Sequence, residues 1–186
     1  MARDPPGTPK VQYNRLGVAV TLICDDGGCY VRNMSETRKH HATIVLERRY
    51  DATASRVFAE FANPVVRAQW SAPAGDELVY EEAAFEVGGR DVFRCGPNGD
   101  LKFRGETTYH VIAPGNCVIS SETIEQRGQH LAVSLNTLEL QEAAGATNLK
   151  LTIQIVSSVG EGIIAHFESG NRSALDGLGA HLAGTA

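Results

Sequence analysis

The stretch Phe85–Gly105, FEVGGRDVFRCGPNGDLKFRG, sets two glycine clusters inside residues that otherwise alternate as strands do. Gly88-Gly89 and Pro97-Asn98-Gly99 pose a choice between cradling a phosphate and turning the chain. A phosphate loop places its glycines between a strand and a helix, with backbone amides aimed at the ligand. Here strand-like runs flank both clusters, RDVFRC between them and LKFRGETTYHVI beyond, and no Lys-Ser/Thr pair follows. Asn-Gly and Gly-Gly supply the positive φ angles that hairpins need. These glycines turn the chain.

Working outward, TIVLERRY (Thr43–Tyr50) reads as a first strand. DATASRVFAEFANP follows as a helix, with Ser55 or Thr53 as N-cap and Val57, Phe58 and Phe61 on one face. Pro64 ends it, because the residue before a proline is pushed out of α space. VVRAQW reads as a second short helix. From Leu78 the strands run LVYEEAAFEV, RDVFRC, LKFRGETTYHVI, CVISSETI, LAVSLNTLEL and NLKLTIQIV, with turns at Gly88-Gly89, GPNGD, APGN, RGQ and EAAGAT. The last element is a helix whose Ile164, Phe167, Asn171, Leu175, Leu178 and Leu182 form one stripe. Gly170, Gly177 and Gly179 each cost that helix roughly 1 kcal/mol relative to alanine, so its stability must come from packing on the sheet. The order predicts an α+β fold: a curved antiparallel sheet of about seven strands wrapped around a long C-terminal helix, with two short helices after the first strand.

The 186 residues are 42% hydrophobic and 21% charged, enough for one globular domain with a core. A net charge of -5 lacks the positive excess that nucleic acid and anionic membranes attract. The longest apolar run, Leu16–Cys24, falls well short of the roughly 20 residues that span a bilayer. It precedes CDDGG rather than a small-residue cleavage site, so a cytoplasmic protein is expected. Cys24 and Cys29 could pair or bind metal, but no second pair or nearby His completes a zinc pattern, and reduced thiols are expected. Residues 1–33 differ from the rest: MARDPPGTPK reads as disorder, and VQYNRLGVAVTLICDDGGCYVRN could make one or two strands without a clean period. Met34 is the expected natural start, with 1–33 an extension and 34–186 the domain; removing the extension leaves 13 Lys/Arg against 19 Asp/Glu.

The segments RRYDATASRVFAEFANP, QW, FEVGGRDVFRCGPNGD, RGETTYHVIAPGNCVISSE and SALDGLGAHL carry a resemblance that spans about Thr43 to Leu182. The chain resembles the START-like helix-grip superfamily, also called SRPBCC, and within it the family named after the activator of the Hsp90 ATPase. That resemblance implies a sheet gripping a helix with a cavity between them. The family often carries tryptophan at the position of Asn171 and a bulky group at that of Asp91, so both departures imply a more polar or roomier pocket here.

Alternation assigns the faces. Phe103, Thr107, Tyr109 and Val111 share one face, as do Leu131, Val133 and Leu135, Asp91, Phe93 and Cys95, and Leu149, Leu151, Ile153 and Ile155. The apolar sets should face the long helix, and His110 falls outside. The candidate pocket is Trp70, Phe93, Cys95, Phe103, Tyr109, Leu135, Leu151, His166, Phe167 and Asn171, with Tyr109, Asn171 and His166 as polar anchors and Trp70 at the mouth or over a helix end. An inward aromatic is ordinarily core, so these positions mark a lining only if a cavity exists.

No G-x-S-x-G or H-E-x-x-H occurs, so no catalytic residue, metal or cofactor is expected. Glu81 and Glu82 are adjacent on a strand and should point to opposite faces. The leading expectation is a binder of a small hydrophobic or amphipathic molecule, as a monomer or homodimer. The alternative is a cyclase- or hydratase-like enzyme using His166 or Tyr109 as acid or base. A chaperone partner, which the family name suggests, ranks last.

Overall fold

The computed structural model describes residues 10–13, 19–25, 28–33 and 39–184, in two units, Met1–Arg38 and Lys39–Ala186. In the first, β1 (Lys10–Tyr13), β2 (Ala19–Asp25) and β3 (Gly28–Asn33) form an antiparallel sheet in the order β1-β2-β3. Of MARDPPGTPK, read as disordered, residues 1–9 lie outside the described residues and Lys10 begins β1; Met34, read as the natural start, also lies outside them.

The second unit begins with β4 (His40–Tyr50), α1 (Ala54–Ala62) and α2 (Pro64–Ser71). It continues through β5 (Asp76–Ala83), β6 (Arg90–Pro97), β7 (Phe103–Ala113), β8 (Cys117–Gln126), β9 (Gln129–Ala143) and β10 (Ala146–Ser157) to α3 (Gly162–Leu182). Seven strands pair antiparallel in the order β4-β10-β9-β8-β7-β6-β5. Five consecutive hairpins build most of that sheet, and α1 and α2 carry the chain from one edge strand to the other. The result is an α+β helix-grip fold. Among the described residues no helix is long and apolar enough to cross a membrane.

Local chemistry fixes the short helices. Thr53 caps α1 by accepting from the Arg56 amide, and Glu142 of β9 accepts from the Ala54 amide at 2.7 Å. A carboxylate there also complements the positive end of the helix dipole. Asn63 caps α2 by accepting from Val65 and Val66, and Pro64 occupies its first position, where no amide is required. Both sheet-internal two-residue hairpins, Arg127-Gly128 and Ala144-Gly145, have positive φ at both positions, the geometry that matches strand twist.

Three β-bulges decide which side chains face inward. The register slips between Tyr80 and Glu82, between Tyr109 and Val111, and opposite Ile124/Glu125 at Leu131. Each inserts one residue and inverts the parity beyond it. Val111, Val133 and Leu135, expected inside, are therefore exposed, while Ile112, Ala132 and Ser134 turn in. Glu81 and Glu82, expected on opposite faces, both reach outer arginines: Glu81 pairs with Arg94 at 2.6 Å and Glu82 with Arg90 at 2.7 Å. The β5 strand stops at Ala83 instead of running to Val87, because the following loop folds back. Gly88 donates to the Tyr109 carbonyl and Tyr109 to that of Gly89, at 2.8 and 3.1 Å. Gly88 has φ +81, and a Cβ on Gly89 would lie 2.2 Å from the Ala84 oxygen. The opening glycines both turn the chain and hold Tyr109.

The C-terminal half of α3 is pinned hard. Leu175 and Leu178 are buried, and Tyr50 donates to the Leu175 carbonyl at 2.8 Å. A Cβ on Gly177 would sit 2.4 Å from the Trp70 carbonyl oxygen, so the backbones of α2 and α3 touch there. Since both parties are backbone and the approach is 2.4 Å, Gly177→Ala must push the helices apart, at the upper part of the overpacking range, about 2–3 kcal/mol. Urea unfolding should show a net loss of about 1 kcal/mol or more after the helix-propensity gain. A Gly177→Ala protein as stable as the wild type would contradict the close contact.

Candidate functional site

Toward its N-terminal half, α3 stands off the sheet over a cavity of about 600 Å³. Ile163, His166, Phe167, Gly170 and Asn171 form the helix wall. Phe103, Thr107, Ser120, Glu122, Ile124, Asn136 and Leu151 form the sheet floor, and α2 with the following loop contributes Arg67, Trp70 and Pro73. The exposed lining residues Asp76, Glu77, His166 and Ser169 mark the rim.

Trp70, Phe93, Cys95, Phe103, Tyr109, Leu151, His166, Phe167 and Asn171 all line this cavity. Leu135 does not: the bulge at Leu131 sends it to the outer face, where it is 42% exposed. Trp70 is buried edge-on against Phe61, ring centroids 5.0 Å apart. Asn171 donates to the Phe167 carbonyl one turn earlier, at 2.9 Å. His110 lies outside, against Ser121 at 2.8 Å.

Tyr109 belongs to a buried cluster. Its hydroxyl donates to Asp91, Arg67 donates to both Asp91 and the Tyr109 oxygen, and Arg67 also donates to the Phe61 carbonyl at 2.9 Å. The second Asp91 oxygen accepts from the Ala84 amide at 3.0 Å. The guanidinium lies 4.7 Å from the Tyr80 ring centroid and 5.8 Å from that of Phe85, a stacked arrangement with cation–π attraction. Burial opposes the Arg67 charge, yet Tyr80, Tyr109 and Asp91 hold its pKa above the usual guanidinium value. Desolvation pushes the Tyr109 phenol well above its ordinary range and Tyr80 up to about 12, with Arg67 opposing both shifts. The Arg67–Asp91 pair neutralises itself and ties α2 to β6 and β7, with the buried Arg67 Nε left as a donor without a partner among the described residues.

Glu122 is different. Its row across the sheet reads Asp91, Thr107, Glu122, Ser134. It accepts from the Thr107 hydroxyl at 3.2 Å and has no ion-pair partner among the described residues. Desolvation pushes its carboxyl up to about 7, partly countered by the Thr107 hydrogen bond. The Cys95 thiol is pushed to about 11, by burial first and then by Glu122 and Asp76. Among the described residues no three His, Cys, Asp or Glu side chains gather as metal ligands do.

Arg67, Tyr80 and Glu122 are among the lining residues that reading the sequence misses. A signal exists for two of them. Arg67 shares a helical face with Trp70 and Ser71, and Val118, Ser120, Glu122 and Ile124 alternate together on β8.

A curved antiparallel sheet, a long gripped helix and a cavity between them define the helix-grip class of SRPBCC proteins. The family described as Activator of Hsp90 ATPase homolog 1-like protein matches residues 51–183, and the chain belongs to that family. A solved protein from Rhizobium loti is 28% identical over 76% of this chain and 97% of its own, with a TM-score of 0.67. One from Arthrobacter aurescens is 21% identical over 77% of this chain and 87% of its own, with a TM-score of 0.70. A protein in the dynemicin biosynthetic locus is 16% identical over 76% of this chain and 47% of its own, with a TM-score of 0.58. The last two likenesses concern the fold alone. Among the curated proteins none matches the chain.

The raised Glu122 pKa has a stability consequence with a definite sign. The folded state keeps the proton to about pH 7, whereas an unfolded glutamate releases it near 4.5. Its contribution is neutral below about pH 4.5 and increasingly unfavourable as pH climbs to about 7. Glu122→Gln should therefore stabilise the protein by about 1–3 kcal/mol at pH 8 and lose that advantage toward pH 4.5. Paired urea titrations at the two pH values read this directly. A pH-independent difference would place Glu122 in water.

Proposed function

We propose that this protein binds a small hydrophobic or amphipathic molecule between its sheet and α3, without a catalytic step. The observation that carries this reading is the cavity of about 600 Å³, within the 300–1,000 Å³ typical of ligand sites. Five of the six phenylalanines and the single tryptophan line it, so the enclosed surface is aromatic and apolar with a few polar groups on the floor. A ligand losing about 300 Å² of water contact there gains roughly 7 kcal/mol gross. Association costs of at least ~4 kcal/mol leave the polar floor to decide which molecule binds tightly. In this reading the protein works in the cytoplasm as a monomer or homodimer, and neither nucleic acid nor membrane is its partner.

A cyclase- or hydratase-like reaction in the same cavity is the second reading, favoured by one observation. Glu122 holds its proton to about pH 7, which suits a general acid or base. Tyr109 is poorly suited to that role because its hydroxyl is committed to Asp91. The rim residue His166 and Glu122 are the candidates for proton transfer.

N-phenyl-1-naphthylamine, which brightens on entering apolar sites, tests the binding reading. Saturable binding of one equivalent is expected, together with a raised Tm. A Cβ at Gly170 meets nothing within 4 Å, so Gly170→Leu projects into open space beside the cavity and is favourable for the helix. It should keep or raise Tm while cutting probe affinity at least tenfold. Absent saturation in the wild type, or full affinity in Gly170→Leu, would remove the reading.

A further inference from the structure

The charges around the cavity are lopsided. Its lining holds four carboxylates, Asp76, Glu77, Asp91 and Glu122, against Arg67 as the one permanently charged cation. Asp91 already neutralises Arg67 through a closed, buried contact. An anionic head group would therefore enter a site with no free cation and three remaining carboxylates.

Two further observations point the same way. First, Phe93, Phe103 and Phe167 line the cavity beside Glu122 without a protein cation over Phe93 or Phe167 among the described residues. Aromatic faces attract ammonium groups, and more strongly where water is excluded. Second, buried polar atoms of the lining lack hydrogen-bond partners. They are Arg67 Nε, Trp70 Nε1, Ser71 Oγ and Asn136 Oδ1, and the one pure acceptor among them, which an ammonium group can complete, is Asn136 Oδ1, in the sheet row that joins Ser120 to Ile153. Native proteins rarely leave such atoms unsatisfied, and a bound polar group is one way they are completed.

We propose that the cavity selects an amphipathic amine: an aromatic or aliphatic body among the phenylalanines, with its ammonium group on the Glu122 carboxylate and Asn136 Oδ1. This rests on the ligand-binding reading and gives its ligand a chemical class. Glu122 is reached from the floor by Thr107, and the titratable or charged groups facing the same space are Tyr80, Tyr109, Cys95, Arg67, Asp91, Asp76, Glu77 and His166. Arg67 is the permanent cation of the lining, and Asp91 is its partner. An incoming ammonium supplies the counter-charge that Glu122 lacks, which converts a desolvated carboxyl from a burden into an anchor.

Matched probes sharing one skeleton test this on the intact protein: 1-naphthylmethylamine, 1-naphthalenemethanol and 1-naphthoate, by calorimetric titration at pH 8. The amine should bind at least tenfold more tightly than the alcohol, and the carboxylate more weakly than the alcohol. Glu122→Gln should bring the amine to alcohol ratio to within about threefold of one. The wild type also decides without the variant. Preference built on a desolvated carboxylate survives a rise in salt from about 0.05 to 0.5 M, whereas preference from exposed Asp76 and Glu77 is screened away. Equal binding of amine and alcohol, a ratio that survives Glu122→Gln, or one abolished by salt overturns the amine proposal and leaves the binding reading standing. No binding of any of the three defeats both.

Discussion

The close approach of α3 to α2 at Gly177, together with the buried Arg67–Asp91 contact beneath it, governs the rest of the structure. The first pins the end of a 21-residue helix against backbone that cannot yield. The second fixes α2 to the sheet through a charge pair that neither partner can leave, since stranding one buried charge costs about 3–5 kcal/mol. With Leu175 and Leu178 packed and Tyr50 bonded to the helix carbonyl, the C-terminal half of α3 has no freedom to slide. The sheet curls away beneath the other half, where Phe167 and Asn171 line the cavity and Phe167 packs on the cluster of Phe93, Ile124 and Leu131. The cavity is a consequence of where the helix is held.

The same contact decides the character of that cavity. Arg67 would otherwise be the natural receptor for an acid, and Asp91 neutralises it while Tyr109 and the Ala84 amide also bond the carboxylate, leaving Arg67 Nε as an unpaired donor. What remains on the floor is neutral or acidic: Thr107, Ser120, Asn136 and Glu122. A carboxyl placed among phenylalanines is disfavoured in its charged form, so a well-satisfied fold has little reason to keep one there. A bound partner gives it a reason. Membership of the family gives the architecture, while the function has to be argued from the polar groups on the floor.

Much of this was legible in the residues, because local rules dominate where they are undisturbed. Asn63-Pro64 separates the two short helices, and the glycine clusters mark hairpins. Simple alternation puts Asp91, Phe93 and Cys95 on the cavity side of β6 and Leu149, Ile153 and Ile155 in the core. Alternation fails at Val111 and Leu135 because a bulge carries no reliable local marker. The extra residues at His110 and Leu131 follow from how tightly the sheet must coil. Glu122 stays hidden for another reason. A carboxylate is ordinarily read as solvent-facing, which outweighs its alternation with Val118, Ser120 and Ile124, and the register opposite Thr107 and Ser134 is what puts it inside. Arg67 is likewise read as surface until Asp91 is found beneath it.

Methyl-resolved NMR tests the central claim most directly, because the two faces of the sheet supply their own control. During titration with a neutral naphthalene probe, Ile124, Leu151 and Ile163, which line the cavity, should shift along a saturating curve. Val45, Val133 and Leu135, exposed on the opposite face, should stay still. Shifts confined to the outer set, or spread equally over both, would mean that the space beneath α3 is not where this protein takes its ligand.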